Sequence, residues 1–372
     1  MTNTIQTDSF SKTLHDRINA YFREKSISVK ADRAMWIKIV AGALWWILSY
    51  LCIYLFSVNE FTFFLLYVFH GWGHICFSFN VGHDALHNAI SKKRRVNKFW
   101  SYSYDLLGVN TYMWRFMHHQ GHHACLNVYG EDMSLETAGF FRLSSRQEPK
   151  PYHKYQHLYA FIIYGLYLLY YVFIKDFKYF FSKNNLYLKG IKHPAKEWFL
   201  LFAGKGFYLF YMLFLPLYLL PFNGLFIVFT FIFTLFMIGL VMSFTFQTTH
   251  VIDSTYFPAY NNEYENYAYH VFATTADYAV DNPVANWFLG GLNIQVIHQL
   301  RSDICHTHYP ALTRIIKATA AEFGVTYREN KTIYGAVMSH LKALKDLGNS
   351  SIDLAVSTNA NYRKFLRNKQ SY

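Results

Sequence analysis

The chain has 372 residues, of which 53% are hydrophobic and only 16% charged, with a formal net charge of +12. A soluble domain carries about a quarter charged residues, so an ordinary water-soluble domain is excluded, and the near-neutral mean hydropathy implies apolar blocks set in polar stretches. Four cysteines at irregular spacing, with no CxxC pair, exclude a disulfide framework and a zinc ribbon.

No short apolar core with a small-residue cleavage site opens the chain, so no secretory signal is expected. Residues 8–25 carry Phe10, Leu14, Ile18, Tyr21 and Phe22 at helical spacing. That pattern predicts an amphipathic helix, on a membrane surface or packed on a cytosolic layer, and residues 1–34 are read as an N-terminal cytosolic segment. Apolar runs over 35–58 and 61–81 are each long enough for a bilayer, which takes about 20 residues. The short stretch "SVNE" between them predicts a hairpin. A second hairpin is predicted from runs over 198–220 and 222–244, turning at "PFNG". The tyrosine-rich run over 158–174 is shorter and is read as an interfacial helix. Neither turn holds Lys or Arg, and of 35 basic residues only Lys38 and Lys205 fall inside the four spans. Charge asymmetry then puts both termini and every histidine cluster on the cytosolic side. The run "KKRR" (92–95) is read as a headgroup-facing loop rather than as a nucleic-acid or acyl-carrier site. Residues 35–349 form one domain and 350–372 a polar tail. The expected fold is an all-α integral membrane protein: four transmembrane helices in two hairpins plus a cytosolic helical part bearing a histidine-rich metal site.

The 18 histidines cluster. His83 and His87 fall at i and i+4 in "GHDALHN", a weak signal alone. His119, His122 and His123 share one helical face in "WRFMHHQGHH", with His118 beside them. Gln295, His298 and Gln299 repeat that spacing with glutamine at two of three positions, and His250 follows the fourth span in "FQTTH". Neutral imidazole suits first-row metals, iron among them. Seven converging histidines are too many for one tetrahedral ion and suit two ions with open positions. Patterns for zincins, P-loops and serine-hydrolase elbows do not occur.

These stretches resemble the membrane fatty acid desaturases, in the front-end and linoleoyl-CoA desaturase-like branch. "GHDALHNAIS" is similar to that family's HDxxH box and "WRFMHHQGHHACLNVYGED" to its HxxHH box with the following Asn and acidic residues. "WFLGGLNIQVIHQLRSDICHTHYPAL" is similar to its third box, where the leading Gln is normal for the branch. The resemblance covers residues 8–328. It implies a mushroom-like fold with a diiron centre that uses O2 to remove two hydrogens from an acyl-lipid or acyl-CoA chain. Carried over, the ligands are His83, His87, His119, His122, His123 and His298, with His250. Electrons would come from a separate cytochrome b5 or ferredoxin type of donor, because the HPGG signature of a fused cytochrome is absent.

Three departures mark this chain. Gln299 stands where the family has a ligating histidine, Ile297 replaces a Glu, and Arg301–Ser302 replace Phe-Pro. Gln295, Gln299 and His306 are therefore candidate ligands or supports of ligands. Trp114 and Arg115 are candidates for positioning the polar end of a substrate, or for interfacial anchoring. The altered box leaves a related diiron hydroxylase and a catalytically degenerate membrane protein as alternatives to a desaturase.

Overall fold

The computed structural model describes residues 2–137, 139–182, 190–258 and 266–349, so the polar tail at 350–372 lies outside the described residues. Four helices are long and apolar enough to cross a membrane: α2 (Arg33–Phe56), α3 (Glu60–Leu86), α6 (Ala195–Leu219) and α7 (Gly224–His250). Their starts are written in the local sequence. Asp32 accepts the N–H of Met35 at 2.8 Å, Asn59 and Thr62 form a reciprocal capping box, and the Asn223 side chain accepts from Leu225. Because α3 restarts three residues after α2 ends, the two pack side by side, Trp45 on Phe69 and Tyr50 on His70. Large apolar side chains line their outer faces: Ile37, Leu48 and Leu55 on α2, Phe199 and Phe210 on α6, and Leu225 and Phe229 on α7 are all exposed. An exposed apolar band of that extent marks a lipid-facing surface.

The backbone N–H of Asn223 donates to Glu60 at 3.1 Å, which brings the two short turns together at one end of the bundle. At the other end α3 and α7 run past their expected limits of residues 81 and 244, to Leu86 and His250. The histidines at those ends therefore ride on the spanning helices themselves rather than on loops. The stretch expected as one interfacial helix at 158–174 is instead two helices, α4 (Pro151–Gly165) and α5 (Tyr167–Phe180), bent by 55°. They lie against α7, and glycine makes the approach possible: a Cβ on Gly165 would fall 2.2 Å from Phe236, and one on Gly239 would fall 2.5 Å from the Gly165 carbonyl.

Beyond the bundle, α1 (Thr2–Glu24) buries the predicted stripe of Phe10, Leu14, Ile18 and Phe22. Phe10 packs on Phe272 and Phe323, and Phe22 on His308, so this helix covers the helical layer rather than standing free. Helices α8 (Gln295–Leu300) and α9 (Tyr309–Glu322) share the core with α1, whereas α10 (Ile333–Gly348) packs against α4 and α7. The all-α expectation needs one amendment. Asp277–Tyr278 (β1) pairs in parallel with Glu329–Asn330 (β2), a two-residue ladder that anchors Asp277 beside α8.

Candidate metal centre

Three segments bring their histidines to one place. The last turn of α3 carries His83, and His87 caps it. The second segment opens with Asn110, which accepts the Met113 N–H at 3.0 Å and starts a short helix, Thr111–Arg115. That helix runs into a π-helical turn, Phe116–Gln120, and the His123 N–H reaches the His118 carbonyl at 3.0 Å. A five-residue turn stacks residues i and i+5, so His118 and His123 come into register. The third segment, α8, lacks a capping side chain of its own at Ile294. Asp277 supplies one from β1, accepting the Val296 N–H at 2.8 Å.

The result is a row of imidazoles. His118 Nε2 lies 3.0 Å from His87 Nε2 and 3.0 Å from His123 Nε2, and His123 Nε2 lies 3.1 Å from His298 Nε2. The His83 ring is 4.6 Å from His298 and 4.8 Å from His87, centroid to centroid. Ligand atoms of His83, His87, His118 and His298 all lie within 4.8 Å of one another. Metal–nitrogen bonds of about 2.1 Å put opposite ligands about 4.2 Å apart, so the scale suits a single ion.

Hydrogen-bond arithmetic points the same way. A neutral imidazole nitrogen either carries one proton or offers one lone pair. Four nitrogens in a row make three contacts, and each can join one bond, so at most two contacts are hydrogen bonds. The third is between atoms with nothing to exchange. His83 Nε2 and His119 Nε2 are buried without any partner. Protonation is no remedy: burial, then the neighbouring rings, hold His87, His118, His123 and His298 well below the usual imidazole range. Burial and then Arg115 lower His119 to about 4. Surplus lone pairs on uncharged rings are what a divalent cation requires.

A second group adjoins the first. His122 and His250 stand with ring centroids 4.8 Å apart. Both oxygens of Asp132 receive His122 Nδ1, at 3.0 and 3.1 Å. Burial alone would raise that carboxylate, but His122 and the Ser134 bonds outweigh it and hold Asp132 below its ordinary range. With Nδ1–H given to Asp132, His122 Nε2 keeps its lone pair, and 3.3 Å away lies Gln299 Nε2. Gln295 Oε1 is 3.3 Å from the same amide.

The remaining candidates fall around these groups. His119 stands beside His87, ring centroids 4.7 Å apart. Trp114 is buried and stacks on His118 at 4.0 Å, so it walls the cluster, whereas Arg115 is exposed. His306 has both ring nitrogens occupied: Nδ1 donates to Asp84 at 2.8 Å and Nε2 receives Lys38 at 2.8 Å. Residues that spacing alone did not single out are His118, Asp277 and Lys38. An α-helical face rule excludes an i, i+5 pair, and only the π-turn brings His118 in. Lys38 was visible as a lone charge in a span, yet its partner lies 268 residues away.

Comparison with known proteins agrees with this chemistry. The sequence model of the family described as "Fatty acid desaturase" matches residues 59–331. The sn-1 linoleoyl-lipid 6-desaturase of Synechocystis sp. (strain ATCC 27184 / PCC 6803 / Kazusa) is 33% identical over 93% of this chain and 97% of its own length. The protein of the same name from Arthrospira platensis is 31% identical over 91% of this chain and 92% of its own. An acyl-lipid (8-3)-desaturase from Physcomitrium patens is 29% identical over 92% of this chain and 72% of its own length. A match across most of the chain, joined to a buried gathering of neutral imidazoles, identifies it as a member of the fatty acid desaturase family, in the front-end branch, and as an oxidoreductase of that kind.

Proposed function

We propose that this desaturase works on the acyl chain of a membrane lipid with a pair of iron ions held by His83, His87, His118, His122, His123, His250 and His298. The observation that carries the proposal is the surplus of lone pairs in the row from His87 to His298, three contacts of 3.0 to 3.1 Å that hydrogen bonding cannot all satisfy. Iron bound there supplies the power to activate O2 and break an unactivated C–H bond. The chain's own residues hold and orient. Asp132 fixes the tautomer of His122, and Tyr309, 3.3 Å from His298 Nδ1, turns that ring toward the cluster. Asp84 and Lys38 pin His306 from both sides, which makes His306 a positioning residue for the His83 turn rather than a ligand. The Trp114 ring keeps water from one side of His118.

The helices are proposed to cross the membrane as two hairpins, with the histidine end and both termini cytosolic, where a separate cytochrome b5 or ferredoxin type of donor delivers electrons. An acyl-lipid substrate is favoured because two of the relatives carry "linoleoyl-lipid" in their names. Exposed Arg115 is proposed to meet the polar end of that lipid. The test is expression in a host lacking desaturases, with iron and a donor supplied. A new unsaturated acyl species in the lipid fraction is expected. Hydroxylated lipid instead, or an unchanged profile from folded, iron-loaded protein, would overturn the reading.

A further inference from the structure

We infer that Gln299 is itself a metal ligand through Oε1, and that the centre is divided into one tightly held ion and one exchangeable ion. The inference rests on the diiron reading above and concerns how the two ions differ.

The donors separate into two sets. Around the first ion stand imidazoles: His83, His87, His118, His123 and His298, linked by Nε2 contacts of 3.0 to 3.1 Å or by rings under 5 Å apart. Around the second stand His122, His250, Gln295 and Gln299, every one of them buried. Two of these four offer nitrogen and two can offer only an amide group.

The position of the Gln299 amide is what assigns it a ligand role. It faces two atoms whose lone pairs are already determined. His122 gives its Nδ1 proton to Asp132, so Nε2 is an acceptor. Gln295 gives its amide N–H to the Leu292 carbonyl at 2.9 Å, so its Oε1 is an acceptor too. Gln299 lies 3.3 Å from each. With its NH2 turned toward them, Oε1 is left buried with no partner at all. A buried acceptor left unsatisfied is costly, because folding has stripped it of water without supplying a donor. Half a turn about the last side-chain bond puts Oε1 in the place of NH2. Oε1 then lies 3.3 Å from each of two other acceptors, an arrangement that is repulsive without a cation and favourable with one. An edge of 3.3 Å also fits neighbouring ligands on bonds of about 2.1 to 2.3 Å. The amide thus acts as a hydrogen-bonding bridge in one orientation and as an oxygen ligand in the other.

Amide oxygen is a weaker partner than imidazole for iron(II) and is more at home with manganese or magnesium. The second ion is therefore held by fewer nitrogens and leaves first. The practical consequence is an enzyme whose loading follows the iron supply at one site and not at the other.

The test uses full-length protein in detergent, loaded with ferrous iron and then dialysed against EDTA, with iron per chain followed by elemental analysis and by Mössbauer spectroscopy. For the wild type, release in two phases is expected, half of the iron leaving at least about tenfold faster than the rest. Gln299→His should slow the fast phase toward the slow one. Gln299→Leu, which removes the oxygen, should quicken it, and Gln299→Glu, which keeps an oxygen ligand, should not. Single-phase release from the wild type, or a fast phase identical in Gln299→Leu and wild type, overturns the assignment while leaving two irons in place. Absence of iron from both the wild type and Gln299→His overturns the diiron reading as well. If Gln299→Leu fails to fold, the ordering of Gln299→Glu, Gln299→His and wild type decides.

Discussion

The imidazole-rich half of the cluster and the amide-bearing half are built on different principles. In the first, His118 and His123 are only half-buried, and their order comes from one another and from Trp114. Among the described contacts, no carboxylate touches His87, His118 or His123. In the second, every donor is buried, and a carboxylate holds the His122 ring from behind. Asp132 grips His122 while receiving the Asn127 and Ser134 N–H groups at 2.9 and 2.8 Å, and Asn127 in turn donates to the His250 carbonyl at 2.7 Å. Rings that bind strongly need little support, whereas a set with two amides depends on its scaffold to keep the donors converged. The difference predicts opposite responses to mutation: loss of a ring should cripple the first half, and loss of a support should cripple the second.

The largest effect is expected from His118→Ala. It removes the ring that touches both His87 and His123, and desaturation should fall by at least about 100-fold with loss of the tightly held iron. His119→Ala should cost about tenfold or less, because that ring borders the row without bridging it. Product per chain and iron content, measured on both variants, check the pair. Equal losses would show that the two halves are not divided as the contacts indicate.

Next in size is Asp132→Asn. The His122 ring loses its anionic acceptor, and affinity for the second ion should drop about 10–100-fold while the first ion stays. A chelator titration of the variant separates the two. Simultaneous release of both irons would erase the distinction.

Much of this arrangement is legible in the sequence because it is local. Apolar runs mark the four spans, and the i, i+3, i+4 spacing draws attention to the second histidine stretch, although it selects His119 where the row of contacts runs through His118. What spacing could not supply is non-local. His118 needs a π-turn, and nothing in "WRFMHHQGHH" distinguishes that turn from an α-helix. The close approach of α4 to α7 at Gly165 depends on Phe236 and Gly239, over 70 residues later. Asp277 acts on α8 only because β1 pairs with β2, a ladder too short to carry an alternating pattern. Lys38 looked like an exception in a hydrophobic span. It is the far end of a chain running through His306 to Asp84, next to His83.

That chain gives a third prediction. Lys38→Met leaves His306 Nε2 buried and without its donor, and should lower stability by about 1–3 kcal/mol. Lys38→Arg keeps a donor and should lose less. Thermal melting in detergent measures both. The imidazole half, which contains His83, should loosen while the Asp132-supported half keeps its iron kinetics.

The smallest effect touches both halves at once, because α8 carries His298 for one and Gln299 for the other. Asp277 caps that helix through Val296 and also receives the Tyr327 hydroxyl. Burial outweighs those bonds and raises this carboxyl from 3.8 to about 7. The unfolded chain ionises it near pH 3.8, whereas the folded chain keeps it protonated until about 7. Between those values the unfolded state binds fewer protons, so this group's contribution to stability falls as pH rises through the window and is constant above it. Asp277→Asn cannot ionise yet keeps an oxygen for the Val296 N–H. The variant should therefore melt relatively higher than wild type at pH 8 than at pH 5, with iron release from the two halves unchanged. A wild-type difference between pH 5 and pH 8 that survives in Asp277→Asn would assign the titration to another group, and altered iron release would mean that the charge, rather than the cap, holds α8 in place.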